Sequence, residues 1–347
     1  MHMADALVSP AVGGVMMAVS VGAIALSVKK MADEKTLDEK KAPMMGVMGA
    51  FVFAAQMVNI AIPGTGSSGH IGGGILLAAT LGKWPALIVI ASVLLIQCLF
   101  FADGGLLAYG CNVFNMGIVA CLIAYPLIFR TITRHSMTRT RIILASIAAT
   151  VVALQLGPLG VVLETTASGI TKLPIGTFAL LMQPIHLAIG VIEGIITAAV
   201  LVFIKEVRPE VLESAAGGTK MSKGVSVKKF VAIFAVFAVL VGGGLSLLAS
   251  SHPDGLEWAI EGVTGSTELE ADSSAHETAA AAVDKTALMP DYDPTGDGKL
   301  SGTMLAGIVG SAFTVVLAGG FGLVIYLARR RKIKAAEPDE ALVNTGA

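Results

Sequence analysis

The chain has 347 residues, 54% of them apolar and only 14% charged, with a formal net charge of −1 and a mean hydropathy of +0.79. Soluble domains carry roughly 25% charged residues, so this composition excludes a soluble globular protein and points to an integral membrane chain. No basic stripe is present for nucleic acid, and 5% aromatic residues with 40 glycines suit close-packed helices better than a barrel with aromatic girdles.

The chain begins Met1-His2-Met3-Ala4-Asp5. A free α-amine, the amide nitrogen of His2 and its imidazole Nδ1 can close a five-membered and a six-membered chelate ring on one divalent ion. Three nearly coplanar nitrogens favour a metal that accepts square-planar nitrogen, which means Ni(II), Cu(II) or Co(II). The apolar run that follows lacks the basic start and small-residue cleavage site of a signal peptide. The expectation is therefore an uncleaved terminus whose amine belongs to Met1.

Measured against a span of ~20 residues, apolar runs predict membrane helices at about 10–28 and 43–62. The stretch Gly64-Thr65-Gly66-Ser67-Ser68-Gly69-His70 is too polar and glycine-rich for a lipid-facing helix and reads as an outer loop or re-entrant turn. A short apolar run follows at 71–81. Further spans are predicted at about 85–101, 107–129, 142–163 and 173–204, the last long enough to be tilted or broken. Lys29, Lys30, Lys35, Lys40 and Lys41, then Lys83, then Arg130, Arg134, Arg139 and Arg141, then Lys205, Arg208, Lys220 and Lys223 fall in alternate loops. The positive-inside rule then places the N-terminus outside and seven spans before residue 205. Met1, His2 and His70 consequently share one face of the membrane.

A polar linker at 206–228 leads to two more spans, about 229–250 and 303–328, closed by Arg329-Arg330-Arg331-Lys332 on the inner side. Between them, the external segment 251–302 holds eleven acidic residues against two lysines. Its Ala/Ser/Thr/Glu-rich middle, 266–287, has the composition of a mobile stretch. The predicted architecture is an all-α membrane protein: a seven-helix bundle (1–205) and a two-helix domain (229–332), with a cytoplasmic tail at 333–347.

His70 reads in two ways. It is a water-exposed residue at a helix start, or it is the fourth nitrogen completing the plane begun by Met1 and His2. Asp103, Asn112 and Asn115, flanking Gly104-Gly105 and Gly110, form a second polar outer loop. They can cap that loop or hold the other N–H of a metal-bound imidazole. His186 and Glu193 lie seven apart in one apolar run, on one helix face, and form a structural polar network, line a pathway or contact the metal directly; Asn59, Gln56, Gln97 and Gln183 belong with these buried polar groups. Gly14, Ala18 and Gly22 make a small-residue stripe that permits close helix approach, inside the chain or to another subunit. Cys98, Cys111 and Cys121 lack paired spacing, which predicts neither disulfides nor a zinc knuckle. Two motifs mislead. The run from Asp291 to Asp297 starts like an EF-hand but has Pro294 inside and Gly302 where the twelfth-position glutamate belongs. Lys299 is not a Walker lysine, because no G-x-x-x-x-G-K-[ST] exists in the chain.

The start Met1-His2-Met3-Ala4-Asp5-Ala6-Leu7-Val8-Ser9-Pro10 resembles the N-terminus of the CbiM/NikM family, the substrate-binding membrane subunits of energy-coupling-factor transporters for cobalt and nickel. Gln56-Met57-Val58-Asn59, Gly69-His70-Ile71-Gly72-Gly73, Phe101-Ala102-Asp103-Gly104-Gly105, Asn112-Val113-Phe114-Asn115-Met116-Gly117 and Pro184-Ile185-His186 are similar to its motifs over most of residues 1–205. Pro253-Asp254-Gly255-Leu256-Glu257-Trp258-Ala259 and Pro290-Asp291-Tyr292 resemble the NikN/PDGLE-type partner subunit, so the chain looks like a fusion of the two. Met3-Ala4-Asp5-Ala6-Leu7 departs from the usual Ile-Pro-Asp-Gly-Phe continuation and leaves nickel against cobalt open. The resemblance implies that the Met1 amine, His2 and His70 bind Ni²⁺ or Co²⁺ as transported substrate, without an organic cofactor. It also implies a prokaryotic cytoplasmic membrane, and energy from a separate coupling transmembrane T component and ATP-binding cassette ATPases. The rival expectation is a secondary transporter or channel driven by an ion gradient, with His186 and Glu193 as relay; no inverted repeat supports it.

Overall fold

Long apolar runs broken by short polar segments leave helices as the only spanning elements, because lipid offers no partner to a bare main chain. The computed structural model describes residues 1–33, 39–218, 226–271, 273–292 and 300–336. A single turn at Asp5–Leu7 precedes α1 (Pro10–Asp33), α2 (Lys41–Gln56), the strands β1 (Ile60–Ile62) and β2 (Ser67–Gly69), α3 (Gly74–Leu81) and α4 (Lys83–Phe101). Then come α5 (Tyr109–Thr133), α6 (Arg139–Ser168) and α7 (Ile175–Val207). The second half contributes α8 (Pro209–Gly217), α9 (Lys228–Gly243), α10 (Gly255–Thr264), α11 (Ser274–Thr286) and α12 (Leu300–Ala336).

Among the described residues seven helices, α1, α4, α5, α6, α7, α9 extended to Leu248 and α12, are long and apolar enough to cross a membrane. The sequence reading counts nine. Its two extra spans are α2, whose 16 residues reach about 24 Å, and α3, whose 8 residues reach about 12 Å at 1.5 Å per residue. Neither meets the ~20 residues a span requires. Both are buried almost throughout, α2 against α4, α9 and α12. At Gly46 a methyl group would stand 3.0 Å from the Val315 carbonyl, so the bare backbone lets α12 close on α2. The two halves of the chain are thereby one packed body.

The expected span 43–62 stops at Gln56, and Ile60–Ile62 pairs antiparallel with Ser67–Gly69 instead. Pro63-Gly64 cannot continue a helix, and Gly64 and Gly66 take φ of 77° and 74°, the left-handed conformation a tight reversal needs. This hairpin sits against α7 and is extended by the second half: the Ser68 amide donates to Pro253 O at 2.8 Å and its hydroxyl to His252 O at 2.8 Å. The main chain thus finds protein partners where lipid or apolar packing would leave it bare. The 266–287 stretch is also corrected, since 274–286 form α11, built on an Ala-rich run of high helix propensity. Gly14, Ala18 and Gly22 face outward from α1 and do not pack within the chain. The three cysteines are buried free thiols, as their spacing predicts. Lys35, Lys220, Lys223, residues 293–297, Lys299 and the tail beyond 336 lie outside the described residues.

Candidate metal centre

The N-terminal strand is fixed by a loop built for it. Asn112 acts as a substitute peptide: its Oδ1 accepts from the Met3 amide at 2.7 Å and its Nδ2 donates to Met3 O at 3.1 Å. The Gly105 amide donates to the same carbonyl at 2.9 Å. Asp5 then accepts from the Ala108 amide at 3.0 Å. A methyl group at Gly105 would overlap the Asp5 carboxylate and amide, which explains the glycine there. Met1 and Met3 bury their side chains in the bundle mouth, so the terminus is held at both its backbone and its side chains.

This placement brings His2 onto His70, with ring centroids 5.4 Å apart and planes 15° from parallel. His70 Nδ1 lies 3.1 Å from the Ile71 carbonyl. A carbonyl only accepts, so Nδ1 carries the proton and Nε2 keeps the lone pair, the usual arrangement for a ligating imidazole. Burial, with the nearby terminal ammonium and His2, lowers the His70 pKa to about 3, so no proton competes for Nε2 at neutral pH. His2 Nδ1 pairs with Asp103 at 3.1 Å, while its buried Nε2 has no partner. Chelation through Nδ1 therefore needs a half-turn about Cβ–Cγ, which brings Nε2 to the side Asp103 occupies. Asp103 would then hold the N–H of a ligating ring, the role such carboxylates take. Burial alone would raise the Asp103 carboxyl, but His2 and the Tyr292 hydroxyl that donates to it bring its pKa down to about 2.

The Met1 ammonium pairs with Asp254, the N-cap of α10. Asp254 also accepts from the Leu256 and Glu257 amides at 2.7 and 3.0 Å. Burial opposes its charge, yet the ammonium holds its carboxyl well below the usual range. Among the described residues no three His, Cys, Asp or Glu side chains converge to hold a metal. The Met1 amine lies close enough to His70 for its charge to lower the imidazole pKa.

The other predicted residues divide. Asn115 donates to Glu164 at 2.7 Å and reaches the Met3 sulfur at 3.7 Å. Asn59 lines the outer cavity with its side-chain oxygen unpartnered. His186 and Glu193 do not pair with each other. The Glu193 carboxylate accepts from the Gly73 amide at 3.0 Å and so anchors the segment carrying His70; His186 donates from Nδ1 to Met182 O at 2.8 Å. Sequence reasoning missed the parts played by Asp254, Tyr292 and His276. The last, on α11, reaches Asp5 O at 3.1 Å and Val8 O at 3.0 Å through Nε2 while Nδ1 takes the Ser273 hydroxyl. The PDGLE residues marked Asp254 as a motif member but not as a partner of the amine; nothing in the sequence marked His276.

Outside His2 and His70 opens a cavity of about 590 Å³, lined by Asp103, Asp254, Glu257, Glu268 and Asp291 among others. Carboxylates around a concave mouth raise the local concentration of cations.

Residues 2–211 match the family model described as cobalt uptake substrate-specific transmembrane region, CbiM. The chain belongs to the CbiM family. Residues 228–327 match a PDGLE domain, so this CbiM member carries both halves in one chain. It is 32% identical over 94% of its length, and 99% of the relative's, to a chain from Archaeoglobus fulgidus named as a fused nickel transport protein, NikMN. It is 31% identical over 61% of its length, and 64% of the relative's, to the fused nickel transport protein NikMN of Rhodobacter capsulatus. A crystal structure of a transition metal transporter superposes with a TM-score of 0.53 at 30% identity, covering 60% of this chain and 95% of the other. These relatives are named as nickel or cobalt transport proteins, and the apolar helices make this chain a multi-pass membrane protein.

Proposed function

We propose that this chain is the substrate-capture subunit of an ATP-dependent energy-coupling-factor importer for nickel or cobalt. The ion would be held by the Met1 amine, the His2 amide and imidazole, and Nε2 of His70. The observation that carries this reading is the convergence of a terminal amine and two near-parallel imidazoles at the mouth of the bundle. Four nitrogens without a carboxylate in the plane select Ni(II) or Co(II) over Mg²⁺ and Ca²⁺, which take oxygen shells.

Each residue has a task. Asn112 and Gly105 hold the terminal strand, Asp103 orients His2, and Glu193 with Ile71 O sets the His70 segment and tautomer. Asp254 neutralises the ammonium; when the ion takes the place of that proton, Asp254 remains beside it as counter-charge. The acidic outer cavity collects cations for the site, with the N-terminus and the external segment on the outer face. Seven membrane-length helices are joined by α2 and α3 as buried partial crossings. A separate T component and ATPases supply energy, since the chain has no phosphate-binding loop of its own.

The direct test compares nickel binding by the native chain with one extended by a few residues before Met1. The extension is expected to abolish high-affinity binding, while a tag after Ala347 leaves it intact. Equal affinity in the extended chain refutes the amine ligand.

A further inference from the structure

Behind the paired imidazoles lies a second, smaller cavity of about 40 Å³, lined by Met1, His70, His186, Glu193 and Asp254 among others. A water needs about 10–15 Å³ measured this way, so the space takes an ion with a water or two. His70 and Asp254 line both this cavity and the outer one, and form the wall between them.

His186 is 1% exposed. Its Nδ1 faces the Met182 carbonyl at 2.8 Å, which fixes the proton there and puts the lone pair on Nε2. That nitrogen is buried and has no partner among the described residues. An unmet buried acceptor costs about 1–3 kcal/mol, and an apolar residue of similar size would remove that cost. The lone pair is covered by the PDGLE turn: a methyl at Gly255 would sit 2.9 Å from Cε1 and 3.1 Å from Nε2 of His186. Gly255 is the first residue of α10, directly after the aspartate that pairs with the Met1 amine.

We propose that His186 is a second metal ligand, an inner station for the nickel or cobalt ion after it leaves the Met1/His2/His70 centre. The proposal rests on the transport reading above. A neutral imidazole nitrogen suits these ions. One imidazole completed by water makes a weak, quickly exchanging site, as a transit point requires. α10 is its cover, and displacement of the Gly255 turn uncovers Nε2. The same turn holds the counter-ion of the terminal amine, so one movement of α10 loosens the outer site and opens the inner one.

The test uses the full chain and Ni²⁺ alone as probe, then the assembled transporter in proteoliposomes. His186→Gln keeps a donor for Met182 O and removes the lone pair. It is expected to bind its first nickel within about twofold of the native affinity while uptake falls at least tenfold. In crystals of His2→Ala soaked in Ni²⁺, anomalous scattering is expected about 2.1 Å from His186 Nε2, and it should vanish in His2→Ala/His186→Gln. Uptake by His186→Gln at the native rate overturns the proposal. So does lost uptake without anomalous density at Nε2 in His2→Ala, which would mark a structural role. Neither outcome involves the N-terminal extension, so the inner station and the amine-ligand reading fail separately.

Discussion

His276 offers the sharpest test of how the two halves of the chain cooperate. It lies 271 residues from Asp5 and 268 from Val8 along the chain, yet its Nε2–H is shared between Asp5 O at 3.1 Å and Val8 O at 3.0 Å. Val8 O has no other hydrogen-bond donor among the described residues, because the Val12 amide turns to the Ser9 hydroxyl instead. His276→Ala therefore strands a buried carbonyl, at about 1–3 kcal/mol, and frees the turn that leads to Met1 and His2. If 1–2 kcal/mol of that loss falls on docking of the terminal strand, the nickel dissociation constant rises by up to about 5–30-fold, since 1.4 kcal/mol is tenfold. The ceiling is reached only when the docked state becomes a minority, because apparent affinity scales with the binding-competent fraction. His276→Gln retains an N–H of similar reach and should recover most of the loss. Competition of the purified variants against a coloured nickel chelator measures all three. Native affinity in a folded His276→Ala refutes the idea that α11 braces the terminal strand; from sequence alone this substitution is expected to be silent.

Three further outcomes are expected. Asp103→Ala removes the partner of both His2 and Tyr292 and should weaken nickel binding about 10–100-fold, the range for partners of metal-bound imidazoles, by the same competition assay. Gly105→Ala puts a methyl group into the Asp5 carboxylate; it should expel the terminal strand and abolish high-affinity binding while the thermal transition of the bundle persists. The pH dependence of stability follows from His70, whose pKa falls to about 3 in the folded chain from about 6.5 unfolded. The unfolded chain takes up the proton first, so stability is complete above about pH 6.5 and declines as pH drops toward 3. Melting temperature in detergent should therefore fall between pH 7 and pH 5, and fall less in His70→Gln; an equal fall in both proteins rejects the assignment.

Much of the candidate centre was legible in the sequence because its donors are local. An amine, an amide and an imidazole within two residues define a chelate wherever the chain goes. The polar run around His70 stands out against apolar neighbours, and the lysine and arginine loops put it on the same face. Membrane helices are legible for the same reason, since length and hydropathy are properties of short windows. What failed was decided by partners far along the chain. Residues 57–62 are apolar enough to extend a helix, yet Pro63-Gly64 and the carbonyls of His252 and Pro253 make β1 and β2 a hairpin. Residues 274–286 have the composition of a mobile stretch, yet α11 gains a place to pack through His276.

The sequence by itself thus determined the class of protein and singled out His2 and His70, which the fold brings together. Only the tertiary structure decided that Asp254 faces the terminal amine, that His2 turns Nδ1 to Asp103, that Glu193 holds the His70 segment rather than His186, and that His186 keeps a covered lone pair. The physical reason is common to all four. A hydrogen bond or ion pair depends on position to within a few tenths of an ångström, and helix packing, not residue identity, sets that position.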